Sequence, residues 1–105
     1  MIGDILKALR YVNNKSGIDV AEKCFISSST LSKYENGNII PMLKNLEMLA
    51  KYYNLNLSDI FRMSEIQDEN NYNFMQACKL VIDFFLESKE NDFINDKGKS
   101  LNLKK

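Results

Sequence analysis

Hydrophobic residues recur every three or four positions through most of this chain, which is the period of an amphipathic α-helix. Asn, Ser and Gly residues interrupt the pattern at short intervals and divide it into separate helices. The spacing predicts an all-α fold of five short helices followed by a more apolar one. The first three are predicted at residues 2–12, 18–24 and 27–34, the fourth begins at Pro41, and the fifth is capped by Ser58.

Only Phe25 and Ile26 separate the second helix from the third. Glycine usually occupies such a turn because it tolerates a positive φ, so Phe25 is expected there at a steric cost. Ser27 is a good N-cap for the third helix. Two helices in such close succession are typical of a helix-turn-helix, whose second helix can lie in the major groove of DNA. The residues predicted to face inward are Ile18, Val20, Ala21 and Cys24 in the second helix and Leu31 and Tyr34 in the third.

The next two helices complete the predicted core. Pro41 is expected at the first position of the fourth helix, where its fixed φ is favourable. Residues 64–73 are polar and acidic, and the pattern leaves open whether they form a loop or extend the fifth helix. The inward residues are predicted to be Leu43, Leu46, Leu49 and Ala50 in the fourth helix and Ile60 and Phe61 in the fifth.

The segment 74–86 is apolar around most of its circumference. Such a helix needs cover on more than one side, so half of it can pack on the preceding helices while the other half faces water in a monomer. We therefore predict a homodimer formed through this helix, and an extra core helix is the alternative. The interface residues predicted are Phe74, Cys78, Val81, Ile82 and Phe85.

The distribution of charge also separates the helix-turn-helix segment from the segment that contains the apolar helix. The whole sequence has 14 basic and 14 acidic residues, so its net charge is zero. Residues 1–63 carry eight basic and six acidic side chains (+2), residues 64–90 carry two and six (−4), and residues 91–105 carry four and two (+2). We expect a DNA-facing domain at 1–63, a helical dimerisation segment at 64–90 and a polar tail at 91–105.

Composition excludes several classes of function. The apolar runs are shorter than the ~20 residues that span a bilayer, and the first residues form an amphipathic helix rather than a leader, so a cytoplasmic protein without a membrane partner is expected. Histidine and a glycine-rich phosphate loop are missing, so neither an enzyme nor a cofactor or metal site is expected. Cys24 and Cys78 are expected to be reduced core thiols, with a disulfide or metal role as the alternative.

Over residues 2–62 the chain resembles the Xre-type helix-turn-helix family, that of the phage Cro and phage repressor DNA-binding domains. The residues that carry the resemblance are Arg10, the runs Val20-Ala21-Glu22-Lys23, Ile26-Ser27, Ser29-Thr30-Leu31-Ser32-Lys33 and Glu35-Asn36-Gly37, then Pro41, the stripe 46–53 and the run 57–61.

The resemblance implies roles for particular residues. Arg10 and Glu35 match a pair that joins the first helix to the end of the third in some members, and we expect it to be structural. For the polar face of the third helix the resemblance implies DNA contact, and the alternative is a solvated surface without a binding role. Base-edge contacts are implied for Ser28, Ser29, Ser32 and Lys33, and phosphate contacts for Ser27, Asn36, Gly37 and Lys44.

The chain departs from the family pattern in three places. Gly17 stands where many members have a glutamine that contacts phosphate, and Phe25 replaces the turn glycine. Ile39 and Ile40 replace basic residues often found before the proline. Few phosphate contacts predict a shallow dependence of DNA affinity on salt.

Two classes of function follow from the sequence. The first is a dimeric repressor that binds double-stranded DNA at a near-palindromic operator through its third helix. The second is a protein-interaction module, such as an antitoxin or an inhibitor, that reuses this fold to bind a protein partner. Zero net charge and the apolar last helix favour the second class.

Overall fold

The computed structural model describes the backbone of residues 1–101 and the side chains of residues 1–87. Within that range every regular element is an α-helix, so the predicted all-α fold is confirmed. None of the helices described is both long and apolar enough to cross a membrane. In chain order the helices are α1 (Ile2–Val12), α2 (Gly17–Lys23), α3 (Ser28–Glu35), α4 (Leu43–Tyr52), α5 (Leu57–Asn70) and α6 (Phe74–Leu101).

Helix α1 lies at the centre of the molecule, where it packs against α3, α5 and α6. Its buried face is formed by Ile5, Leu6, Ala8 and Leu9. Gly3 lets α1 approach the end of α3, because a Cβ there would lie 2.5 Å from the Tyr34 carbonyl oxygen. α1 is therefore the support against which the end of α3 is fixed.

The predicted inner face of α2 is correct except at one residue. Val20, Ala21 and Cys24 are buried, whereas Ile18 is exposed. At 100° per residue, Ile18 lies about 110° around the helix from the centre of the face that the other three form. The hydrophobic character of Ile18 therefore gave a misleading prediction, and its side chain contributes to the surface.

The start of α4 differs from the prediction. Met42 is the N-cap, with an extended ψ of 142°, so Pro41 precedes the helix instead of opening it. Leu43 then occupies the first helical position and is exposed, because it precedes by one turn the residues that meet the core. The other three predicted core residues, Leu46, Leu49 and Ala50, are buried.

Helix α5 begins two residues earlier than predicted. Asn56 precedes the helix as its N-cap, and the Asp59 carboxylate accepts the Asn56 backbone N–H at 2.8 Å, so Ser58 is not the cap. Ile60 is buried as predicted, whereas Phe61 is exposed because it lies about 100° further around the helix. Of the two alternatives for residues 64–73, helix extension is confirmed as far as Asn70.

Helix α6 has one face in the core of its own chain. Val81, predicted at a dimer interface, is fully buried there together with Ala77, so that prediction is wrong. Phe74, Cys78 and Phe85 are partly buried against the same core, because they share the face that packs on α1. Ile82 alone among the five predicted interface residues is exposed.

The edge of the α1–α6 contact is aromatic. The Phe74 ring meets Tyr11 edge-to-face with centroids 5.4 Å apart, and the Lys7 ammonium lies 5.2 Å from the Phe74 ring centroid. Both thiols are free, Cys24 buried and Cys78 partly buried. For the tail predicted at 91–105, the backbone is helical to Leu101, and its side chains lie outside the described residues.

Candidate nucleic-acid interface

The turn between α2 and α3 is a tight C-terminal cap of α2. Phe25 has a φ of 60° and donates its N–H to the Glu22 carbonyl, while Ile26 donates to the Ala21 carbonyl at 3.0 Å. This pair of hydrogen bonds is the Schellman motif, in which the residue after the cap takes a left-handed conformation. The motif reverses the chain within two residues and sets the angle at which α3 leaves α2.

Ser27 caps α3 as predicted. Its hydroxyl accepts the Thr30 backbone N–H at 3.0 Å and donates to the Thr30 hydroxyl at 2.7 Å. The Ser29 hydroxyl lies 3.2 Å from the Ser27 hydroxyl oxygen. The hydroxyl proton of Ser27 is thus engaged within the helix, and Ser27 would have to release Thr30 before its side chain could donate to a phosphate.

The four residues predicted to face base edges share the outer face of α3. Ser28, Ser29, Ser32 and Lys33 are all exposed, while Leu31 and Tyr34 on the opposite face are buried. Three of the four side chains are short, so the backbone of α3 can approach a surface closely. Lys33 supplies the one positive charge of this outer face.

The predicted phosphate contacts at the other end of α3 are also exposed. Asn36 is the C-cap, and its side-chain amide donates to the Ser32 hydroxyl at 3.3 Å. Gly37 follows with a φ of 75°, which ends the helix. Lys44 lies in the first turn of α4, and its side chain is exposed as well.

Arg10 and Glu35 form a bidentate ion pair. Arg10 Nε and Nη2 each lie 2.8 Å from a different carboxylate oxygen of Glu35, and the two side chains are 17% and 6% exposed. The hydrogen bond to Glu35 is the main cause that raises the pKa of Arg10. Arg10 Nη1 also donates to the Lys15 carbonyl at 3.2 Å. One side chain therefore connects α1, the loop that leads into α2 and the last turn of α3.

Tyr34 and Asn45 provide a support for α3 that the sequence did not reveal. The Asn45 side-chain amide donates to the Tyr34 hydroxyl at 2.8 Å and so joins α3 to α4. Tyr34 is identifiable from the sequence as an inward residue, but no local signal indicates which polar residue will meet its hydroxyl. The contact spans 11 positions and depends on how α4 is placed.

Comparison with known proteins identifies one family. A family model described as helix-turn-helix (HTH_3) matches residues 6–60, which is 55 of the 105 residues. A search of curated proteins found no match, and a search of solved structures found none either. The matched segment begins within α1 and ends within α5, so it contains α2, α3, the turn at Phe25 and both residues of the ion pair.

Proposed function

Because this chain belongs to the Xre-type helix-turn-helix family, we propose that it is a sequence-specific DNA-binding regulator, a dimeric repressor acting in the cytoplasm. The observation that carries the proposal is the outer face of α3, whose polar side chains are all exposed within the matched segment. The ion pair of Arg10 with Glu35 and the hydrogen bond of Asn45 to Tyr34 hold that face in place. A preorganised, exposed polar helix suits major-groove binding.

In the complex, α3 lies in the major groove with its short side chains toward the base edges. Lys33 reaches the O6 and N7 acceptors of guanine or a neighbouring phosphate. Each serine hydroxyl can bond several base edges and discriminates weakly, so the shape of the DNA contributes to specificity. Asn36, Gly37 and Lys44 beyond the C-terminal end of α3 contact phosphates, and Ser27 at its N-terminal end does so once its hydroxyl has released Thr30.

Two copies of the chain bind together. A homodimer places two α3 helices in successive major grooves, roughly 34 Å apart, which requires an operator with near two-fold symmetry. Occupying a promoter in this way is sufficient for repression, because it excludes other proteins from the same DNA.

A protein-interaction module, such as an antitoxin or an inhibitor, is the second candidate. Zero net charge and the exposed apolar side chains Met75, Ile82 and Leu86 on α6 favour it. Stoichiometric capture of a protein by the purified chain, with no specific DNA bound, would support this candidate over the first.

The experiment that tests the proposal is selection of bound sites from random duplex DNA at moderate salt. A two-fold symmetric consensus is expected. Enrichment of a single unpaired half-site would support DNA binding but exclude a symmetric dimer on DNA. Absence of enrichment at every salt concentration would exclude the repressor and leave the protein-interaction module.

Lys33→Ala tests the assignment of the readout face with the same selected site. We expect weaker binding to that site, because Lys33 carries the only positive charge on the outer face of α3. Lys51→Ala is the matched control, since Lys51 is an equally charged, exposed residue in the last turn of α4. Unchanged specific affinity in Lys33→Ala would show that Lys33 does not read DNA.

A further inference from the structure

The outer face of α6 carries an exposed apolar stripe. Met75, Ile82 and Leu86 are 79%, 44% and 60% exposed, although the opposite face of the same helix is buried. Their spacings of seven and four residues place them within about 40° of one another around the helix. The stripe extends over three turns, and no side chain among residues 1–87 covers it.

Two opposite charges lie beside this stripe on one side. Lys79 and Asp83 are both exposed and are one helical turn apart. Among the described side chains, the ion pairs within 4.0 Å do not include either residue. The stripe is therefore bordered by one positive and one negative group that remain available to a partner.

The apolar and charged positions have midpoints within half a residue of each other. The midpoint of Met75 and Leu86 falls between residues 80 and 81, and the midpoint of Lys79 and Asp83 falls at residue 81. Ile82 lies next to that point. When a helix pairs with an antiparallel copy of itself, a residue a given number of positions before the two-fold axis faces the residue the same number of positions after the axis in the partner. Residues on one side of the contact stripe also meet residues on that same side of the partner's stripe.

We infer that the outer face of α6 is the dimer interface, with two copies of α6 antiparallel about a two-fold axis near residue 81. Met75 then packs against Leu86 of the second copy, and the two Ile82 side chains meet at the axis. Lys79 of each copy lies opposite Asp83 of the other, which gives two equivalent ion pairs. This arrangement specifies the homodimer of the proposed function and rests on it.

Self-complementarity is what favours a second copy over another occupant. A parallel pair brings each flank against the opposite flank of the partner, so Lys79 and Asp83 do not compensate each other. Binding of a different protein would not require opposite charges at Lys79 and Asp83, nor a midpoint of these charges close to that of the apolar stripe. Opposite charges across an interface fix its register, and like charges placed in the same positions oppose association.

Charge reversal tests the arrangement in solution without DNA. Sedimentation equilibrium of the full chain is compared for wild type, Lys79→Asp, Asp83→Lys and an equimolar mixture of these two variants. Each single variant places like charges opposite each other and is expected to weaken self-association at least fivefold. In the mixture, the chain with two acids faces the chain with two lysines, so association between unlike chains is expected to recover. Changes confined to one chain cannot produce that recovery.

Ile82→Asp tests the apolar part, with Ile18→Asp as the matched control on an exposed isoleucine of α2. Only Ile82→Asp is expected to yield monomers, and circular dichroism checks that each variant keeps its helix content. A monomeric wild type at every concentration, or a mixture that associates no better than the single variants, would overturn the inference. A selected two-fold operator together with that result would retain the DNA-binding function and move the dimer contact elsewhere.

Discussion

Phe25 is the exception among the residues that end helices in this chain. The other described positions with a positive φ are Asn14, Asn54, Asn71 and Gly37, which are the residue types that tolerate the left-handed region. Phe25 adopts the same conformation with a ring that is 85% exposed. The ring gains little from burial, so the conformation at this turn is imposed by the Schellman hydrogen bonds rather than by packing.

Replacing Phe25 with glycine is expected to stabilise the chain. The left-handed conformation costs an L-residue roughly 1–2 kcal/mol, and the extra chain entropy of glycine offsets about half of that. We expect the free energy of unfolding, measured by urea denaturation, to rise by about 0.5–1 kcal/mol in Phe25→Gly. Phe25→Ala is the control, because it removes the ring and keeps the Cβ. An equal gain in both variants would assign the effect to the exposed ring instead.

Tyr53 is expected to make the fold sensitive to alkaline pH. Burial, together with the nearby Glu35 carboxylate, raises the pKa of Tyr53 well above its usual value near 10. The unfolded chain therefore loses this proton first, so the contribution to stability is complete below about pH 10 and falls as the pH rises further. The expected loss is about 1.4 kcal/mol per pH unit above that point.

Urea denaturation between pH 9 and pH 11 measures this loss. Tyr53→Phe is expected to show a shallower decline of unfolding free energy with pH than wild type. Tyr11→Phe, which removes the hydroxyl of an exposed tyrosine, is the control. If the three proteins decline in parallel, the Tyr53 hydroxyl ionises as readily in the folded chain as in the unfolded one.

At the level of elements, the crossing of α1 over the end of α3 depends on Gly3. A Cβ at this position would lie 2.5 Å from the Tyr34 carbonyl oxygen and 2.9 Å from that of Glu35, and both are backbone atoms. We expect Gly3→Ala to lower the free energy of unfolding by about 1–3 kcal/mol, as overpacking does elsewhere. The same crossing aligns Arg10 with Glu35, so DNA affinity is expected to fall as well.

Gly17→Ala is the matched control for that crossing. The nearest atom to a Cβ there is Arg10 Cζ at 4.0 Å, and position 17 begins a helix. Alanine is a better helix former than glycine, so a small gain in stability is expected. If Gly3→Ala and Gly17→Ala lose the same free energy of unfolding, the close approach of α1 to α3 does not depend on Gly3.

The elements that the sequence predicted well are those with local signals. Ser27 as a cap, the interruption at Phe25 and the inward side chains Leu31 and Tyr34 all follow from short-range patterns, and the structure has them. Pro41 and Ser58 are also strong local signals, yet neither opens or caps its helix. Met42 is extended, so α4 begins after it, and the Asn56 N–H donates to the Asp59 carboxylate at the start of α5. Neighbouring residues therefore determine both helix boundaries.

The part that could not be predicted depends on which helices meet. Val81 and Ile82 are adjacent aliphatic residues in an apolar run, and only the packing of α6 on α1 decides that the first is buried and the second exposed. For the same reason the partner of the Tyr34 hydroxyl and the bond from Arg10 to the Lys15 carbonyl had no signal in the sequence.

At the level of the whole molecule, zero net charge limits how DNA can be bound. The proposed function assigns Lys33 and Lys44 of each protomer to DNA, so the proposed dimer would neutralise about four phosphates. Each neutralised phosphate contributes about −0.9 to the slope of log affinity against log salt, which predicts a slope near −4. That is a weak salt dependence, and it makes specific contacts a large share of the affinity.

Titration of the selected operator at several salt concentrations measures this slope. Lys44→Ala removes one contact per protomer and is expected to make the slope shallower by about 2, with similar loss on specific and random DNA. Lys51→Ala is expected to leave the slope unchanged. A wild-type slope twice as steep as predicted would mean that further lysines reach the backbone, and that the charge of this small chain is arranged more asymmetrically than its balanced composition indicates.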